Sequence, residues 1–191
     1  AFGKFVNPEI ADRAMRGELR LGGVKKTITV LFLDLRDFTA MSESMPSEQV
    51  VEILNEYFTE MVECIALTGG IVDKFIGDAV MAHWGAIMDE PDAARKSVHS
   101  ALLMRRALVE LNKRFAAAGR PHLRFGCGIN SGPAVAGQIG SEKRLEYTVI
   151  GDAVNLASRI EFLNKHFGTD ILVSHDVAEE VKEHFVLADV P

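Results

Sequence analysis

Residues 27 to 35 read TITVLFLDL, a β-branched and nearly all-apolar run interrupted by one charge, Asp34. Such a run predicts a central strand buried on both faces. A chain built around it needs amphipathic elements to cover that strand. An acid inside it needs a partner or a cation, because an unpaired buried carboxylate is costly.

The covering elements follow in alternation. The segment SEQVVEILNEYFTEMVECIAL (47–67) carries Val50, Leu54, Phe58, Met61 and Ile65 at helical spacing, with Ser47 as a candidate N-cap and Gly69-Gly70 as its stop. IVDKFIGDAVMAHWG (71–85) holds two short apolar runs joined by Gly77-Asp78, a two-residue link of the kind that closes a tight hairpin. A long helix is expected over roughly 91–118, from Pro91 near its first turn to Gly119 past its end. HLRFGCGINSG and PAVAGQI read as two strands around Ser131-Gly132. The last third gives a short strand (EYTVIG), a helix from Asp152 to about Phe167, a strand (DILVS) and a final helix near 175–184. A short amphipathic segment, FGKFVNPEIADRAMRGE, opens the chain. The pattern is that of one α/β domain with strands and helices in two layers.

Composition narrows the classes of function. With 191 residues, 25% charged and 48% hydrophobic, the chain suits a single globular domain with a sizeable core. A net charge of -6 without a dense basic run argues against a nucleic-acid backbone as the main partner. Cys64 and Cys127 lack metal-ligand spacing and give no disulfide framework, so a reducing, cytoplasmic setting is expected. No apolar stretch reaches the roughly 20 residues of a membrane helix, and no signal peptide opens the chain. The start at Ala1 and the end at Pro191 suggest a piece of something longer.

Taken singly, the residues that could carry chemistry have ordinary readings. Asp34 could cap the RDFTAMS segment, Asp78 could be a surface turn residue, and Lys74 a strand-edge lysine. Asn155 and Arg159, four apart on one helix face, could belong to a solvated stripe.

Their combination is more specific. FLDLRDFT, DKFIGDAVMAHWGA and EYTVIGDAVNLASR occur in this order, and together they closely resemble the class III nucleotidyl cyclase catalytic domain over about Phe2 to Val186. The resemblance implies a ferredoxin-like βαββαβ core (α+β) with a C-terminal extension, working as a homodimer with sites at the interface. It implies residues 1–26 as a junction to an upstream sensor and 27–191 as the catalytic domain. The activity implied is conversion of ATP to 3′,5′-cyclic AMP and pyrophosphate. The alternatives are a guanylyl cyclase, or a degenerate module that binds nucleotide or dimerises without turnover.

Carried over by position, the family's metal-binding acids fall on Asp34 and Asp78, which would hold two Mg2+ or Mn2+ ions about 3.5–4 Å apart. The turn Asp34, Leu35, Arg36, Asp37, Phe38 and Thr39 would add backbone amides to the phosphates, in the manner of a helix N-terminus. Asn155 would orient the ribose, and Arg159 would offset charge on the α-phosphate. The purine-reading positions fall on Lys74 and Thr148: a donor for the ring nitrogen and a hydroxyl that can accept from the exocyclic amino group of adenine. Threonine at that position resembles the subgroup often stimulated by bicarbonate.

Two departures from the family pattern stand out. The family usually continues past EHFVLADVP into a hairpin whose lysine approaches the terminal phosphates. Some relatives also carry a phosphate-contacting arginine where this chain has Gly126, with Arg124 two residues earlier as a possible substitute.

Overall fold

The computed structural model describes residues 8–18 and 22–191. Residues 1–7 and 19–21, which belong to the segment read as a junction, lie outside the described residues. The elements run α1 (Pro8–Met15), β1 (Gly22–Leu35), α2 (Phe38–Glu43), α3 (Ser47–Leu67), β2 (Ile71–Ile76), β3 (Ala79–Trp84), α4 (Ala93–Ala117), β4 (Phe125–Ser141), β5 (Arg144–Ile150), α5 (Asp152–Phe167), β6 (Ile171–Val173) and α6 (His175–Val181).

The sheet order is β2-β3-β1-β4-β5, with β6 alongside β4 in parallel. β1 is central and antiparallel to both β3 and β4. The units β1-α3-β2-β3-α4-β4 thus form the ferredoxin-like βαββαβ core, and β5 to α6 extend it.

β1 shows why its sequence is so apolar. Leu31, Leu33 and Leu35 enter the main core with Ile53, Tyr57, Met61 and Ile65 of α3, Met104, Leu111 and Phe115 of α4, and Val177 of α6. Ile28 and Val30 point the other way, into a second cluster with Met81, Ala134, Val149 and two residues of α5, Val154 and Ala157. The strand is therefore covered on both faces, as its composition requires. The two-layer expectation holds on the α3/α4 face, but α5 adds a helix across the opposite one.

Four local features differ from the sequence expectations. β1 starts at Gly22 rather than Thr27, because Gly22–Lys26 continue the ladder with Gln138–Ala134. Helix α3 is capped at Pro46 and not at Ser47: the Pro46 carbonyl accepts from the Gln49 and Val50 N–H groups, and Ser47 is the first helical residue. The stretch read as two strands around Ser131-Gly132 is one 17-residue strand, β4. Its pairing with β1 is unbroken from Phe125 to Gln138, reinforced by a buried 2.6 Å hydrogen bond between the Thr29 and Ser131 hydroxyls. Pro133 falls where the outer edge of β4 has left β6 at Ile129 and not yet met β5 at Val135, so an N–H directed outward there would have no strand to donate to. Finally, α6 ends at Val181, short of 184.

Candidate active site

The β1/β3 register pairs Leu33 with Val80, so one further step sets Asp34 beside Ala79, the residue after Asp78. Gly77 has φ 61° and Asp78 a negative φ, the sign pattern of a II′ hairpin turn. Gly77 permits that turn, and the turn carries Asp78 to the end of β1. The two acids sit within hydrogen-bonding reach. The Asp78 carboxyl is pushed up to about 7, first by burial and then by its hydrogen bond with Asp34 and the charge there. Asp34 Oδ1 is buried without a hydrogen-bond partner.

A third carboxyl approaches from α5. Glu161 is also pushed up to about 7, by burial and by Asp34, while Lys165 and Arg36 act in the opposite direction. Behind the acids, the Tyr57 hydroxyl is buried without a partner, and burial together with Cys127, Asp34, Asp78 and Glu161 raises its pKa. Among the described residues no three His, Cys, Asp or Glu side chains converge as a ready metal cage. Asp34 and Asp78 still fit divalent ions. They are hard oxygen donors forced together, with one buried oxygen left unpaired and Lys165 the cation that weighs on Asp78.

The turn after β1 has mixed roles. Leu35 and Phe38 are buried in the main core, so only their backbones can face a ligand. The Arg36 N–H is taken by the Arg124 carbonyl at 2.8 Å, which removes it from the amides expected to face phosphate. The Arg36 guanidinium donates to the Thr169 carbonyl. Asp37 has φ 56°, a left-handed conformation that aspartate tolerates better than most residues, and Arg124 holds its carboxylate at 3.0 Å. Arg124 is thereby engaged with Asp37. At Gly126, a side-chain carbon would come within 3.0 Å of Glu161 Oε2, so a longer residue would displace that carboxyl.

Asn155 and Arg159 lie on the exposed face of α5, beside Leu156, Phe162 and Leu163, which are also exposed. The opposite face (Ala153, Val154, Ala157, Ile160, Asn164) is buried against the sheet. The two residues sequence reasoning paired are therefore neighbours, turned away from the sheet to which Glu161 of the same helix points.

Lys74 and Thr148 come together through a residue the sequence reading passed over. A register shift between Val72 and Lys74 bulges β2 and turns Asp73 inward, leaving its side chain 1% exposed. The Thr148 hydroxyl lies 2.9 Å from both Asp73 oxygens, Lys74 Nζ is 3.6 Å from Oδ1, and His83 Nε2 is 3.3 Å from Oδ2. Lys74 Nζ also lies 3.8 Å from Glu146. β2 and β5 stand at opposite ends of the sheet order, yet the sheet curls enough for these side chains to meet. The available signal was an acid in an apolar strand, the same signal that singled out Asp34.

A cleft of about 1510 Å³ opens elsewhere, between α4, β6 and the last residues Phe185 to Val190. Of the site residues named above, Arg36 and Arg124 border it.

Comparison with known proteins identifies the family and the fold. A family model described as "Adenylate and Guanylate cyclase catalytic domain" matches residues 23–190. "Adenylate cyclase 1" of Rhizobium meliloti (strain 1021) is 38% identical over 159 residues, which cover 83% of this chain and 24% of that protein. "Adenylate cyclase" of Anabaena cylindrica is 39% identical over 160 residues, covering 82% of this chain and 31% of that one. The chain thus spans less than a third of the length of these curated relatives. Among solved structures, the adenylyl cyclase CyaB from P. aeruginosa superposes with a TM-score of 0.80 at 34% identity, covering 86% of this chain and 84% of its own. The guanylyl cyclase Cya2 superposes at 0.77 with 40% identity, covering 83% and 80%. The chain belongs to the class III nucleotidyl cyclases, as an adenylate and guanylate cyclase catalytic domain.

Proposed function

We propose that this domain converts ATP to 3′,5′-cyclic AMP and pyrophosphate. The observation that carries the choice of ATP is the meeting of Lys74 and Thr148 on one buried carboxylate, Asp73. An ammonium donor and a threonine hydroxyl held side by side match the ring acceptor and amino donor of adenine. The relatives' names alone do not decide the purine, since an adenylyl and a guanylyl cyclase superpose almost equally well.

In the reaction the ribose 3′-oxygen bonds to the α-phosphorus, the bond from that phosphorus to the β-phosphate bridge breaks, and the 3′-hydroxyl proton leaves to solvent. Asp34 and Asp78 would hold the divalent ions, which when bound acidify the 3′-hydroxyl and neutralise the phosphates. Asn155 orients the ribose, and Arg159 meets the charge that builds on the α-phosphate. The N–H groups of Phe38 and Thr39, in the first turn of α2, would contact the phosphates.

Asn155 and Arg159 are exposed on α5 among exposed apolar side chains, and the α5 residues coupled electrostatically to the acids are Glu161 and Lys165, not Arg159. This arrangement favours a homodimer in which the acids of one chain work with Lys74, Thr148, Asn155 and Arg159 of its partner. The residues ahead of β1 would join the domain to an upstream sensor in the cytoplasm. Bicarbonate would stimulate turnover through the threonine variant of the purine site.

The test is to measure cyclic-nucleotide formation from ATP and from GTP separately, with Mg2+ or Mn2+. A kcat/KM for ATP well above that for GTP is expected. Turnover of GTP alone would make the domain a guanylyl cyclase, and turnover of neither would make it a non-catalytic module.

A further inference from the structure

Thr148 is an ambiguous reader on its own, because a hydroxyl both donates and accepts. A free threonine could accept from the amino group of adenine or donate to the carbonyl of guanine. The structure removes that freedom. The hydroxyl has one proton, and both oxygens of Asp73 stand 2.9 Å from it. As a carboxylate, Asp73 has no proton to give, so the hydroxyl must be the donor in this pair. Asp73 is almost fully buried, and an unmet carboxylate there would be costly. Its other neighbours, Lys74 Nζ at 3.6 Å and His83 Nε2 at 3.3 Å, are looser than the threonine contact, and His83 Nε2 lacks hydrogen-bond geometry. The Thr148 proton is therefore the best-placed donor to Asp73, and withdrawing it to serve a substrate would leave a buried charge undersatisfied.

We propose that Asp73 sets purine specificity by taking the only proton of Thr148, which fixes that hydroxyl as an acceptor for the 6-amino group of adenine and makes it repel a 6-oxo purine. Asp73 is a positioning residue that acts through Thr148 and never touches the nucleotide. The β2 bulge is what gives it this role: without the register shift between Val72 and Lys74, Asp73 and Lys74 would follow strict alternation onto opposite faces. The same carboxylate lies beside Lys74, so one buried group anchors both purine readers.

This inference rests on the proposed reading of Thr148 as a purine reader, and the experiment separates the two. kcat/KM is measured for ATP and GTP with the unmodified domain, Asp73→Asn and Thr148→Ala. Asparagine keeps the shape of aspartate but can donate its amide hydrogens to the Thr148 oxygen, which releases the hydroxyl proton toward the substrate. The ATP-to-GTP ratio should fall by about tenfold or more in Asp73→Asn, with GTP turnover gaining in absolute terms. A purely structural lesion would lower both substrates together and leave the ratio in place.

If Thr148→Ala lowers the ratio while a folded Asp73→Asn keeps it within about twofold, the role of Asp73 is overturned and the reading of Thr148 stands. If Thr148→Ala also leaves the ratio unchanged, the reading of Thr148 fails and this inference fails with it. A measurement on the unmodified domain needs no variant to fold: inosine triphosphate, which carries a 6-oxo group and lacks the guanine 2-amino group, should be rejected about as strongly as GTP. Turnover of inosine triphosphate within about twofold of ATP would overturn the proposal.

Discussion

The carboxyls of Asp78 and Asp34 come together at the end of β1, and burial with this contact pushes Asp78 up to about 7. The unfolded chain releases the same proton near the ordinary aspartate value. Holding it therefore stabilises the metal-free fold at low pH, and that stabilisation is lost as pH rises through about 7. Asp78→Asn removes the repulsion, so its melting temperature should exceed that of the unmodified protein at pH 8, with the gap narrowing as pH falls below about 7 and closing only toward about pH 4, near the ordinary aspartate value. Asp78 is half-buried, and after discount for solvent screening the effect is about 1 kcal/mol, or roughly 2–4 °C. Added Mg2+ should conversely raise the melting temperature of the unmodified domain more at pH 8 than at pH 6, since protons compete for the same oxygens. Equal increments at the two pH values would refute a shared proton at this site.

A second prediction concerns the seat of α5. A side-chain carbon on Gly128 would come 2.2 Å from the Glu161 nitrogen and 2.7 Å from the Ala157 carbonyl oxygen, both backbone atoms that cannot rotate away. Gly128→Ala should lift the helix that carries Asn155 and Arg159, costing about 1–3 kcal/mol in stability and a larger share of activity. Chemical denaturation and kcat measured on the folded fraction would check it. A variant with normal stability and kcat would mean that the helix position does not matter to turnover.

How much of this was legible follows from which residues carry local signals. The span of α3, the hairpin at Gly77-Asp78 and the span of α5 could be read because periodicity and glycine placement act within a few residues. The continuity of β4 through Gly132-Pro133 could not, because it depends on a 14-position pairing with β1, which overrides a local breaking signal. Asp34 drew notice as an acid in a buried strand. Asp73 carried the same signal and was missed, because its meaning depends on a bulge and on Thr148, 75 residues away. Glu161 read as one more charge on a helix, and only the packing of α5 on Gly128 brings it to the acids.

A third prediction concerns the bicarbonate stimulation proposed above from the threonine at position 148. At fixed pH and ionic strength, kcat should rise modestly when bicarbonate replaces chloride. Identical rates under the matched anions would remove this regulation and leave the catalytic assignment untouched.

The last prediction tests where the two halves of a site reside. Asn155 and Arg159 face outward from α5, whereas Asp34 and Asp78 meet at the end of β1. If a site combines the acids of one chain with the helix residues of its partner, neither Asp34→Ala nor Arg159→Ala homodimers should turn over ATP. A mixed dimer pairs the intact Asp34 of one chain with the intact Arg159 of the other at one of its two sites, while its second site carries both lesions. With random exchange of chains about half the dimers are mixed, so roughly a quarter of the unmodified activity should return under two-fold symmetry. Subunit exchange is followed independently, for example by energy transfer between differently labelled chains. Full exchange without recovered activity would show that each site is built within a single chain.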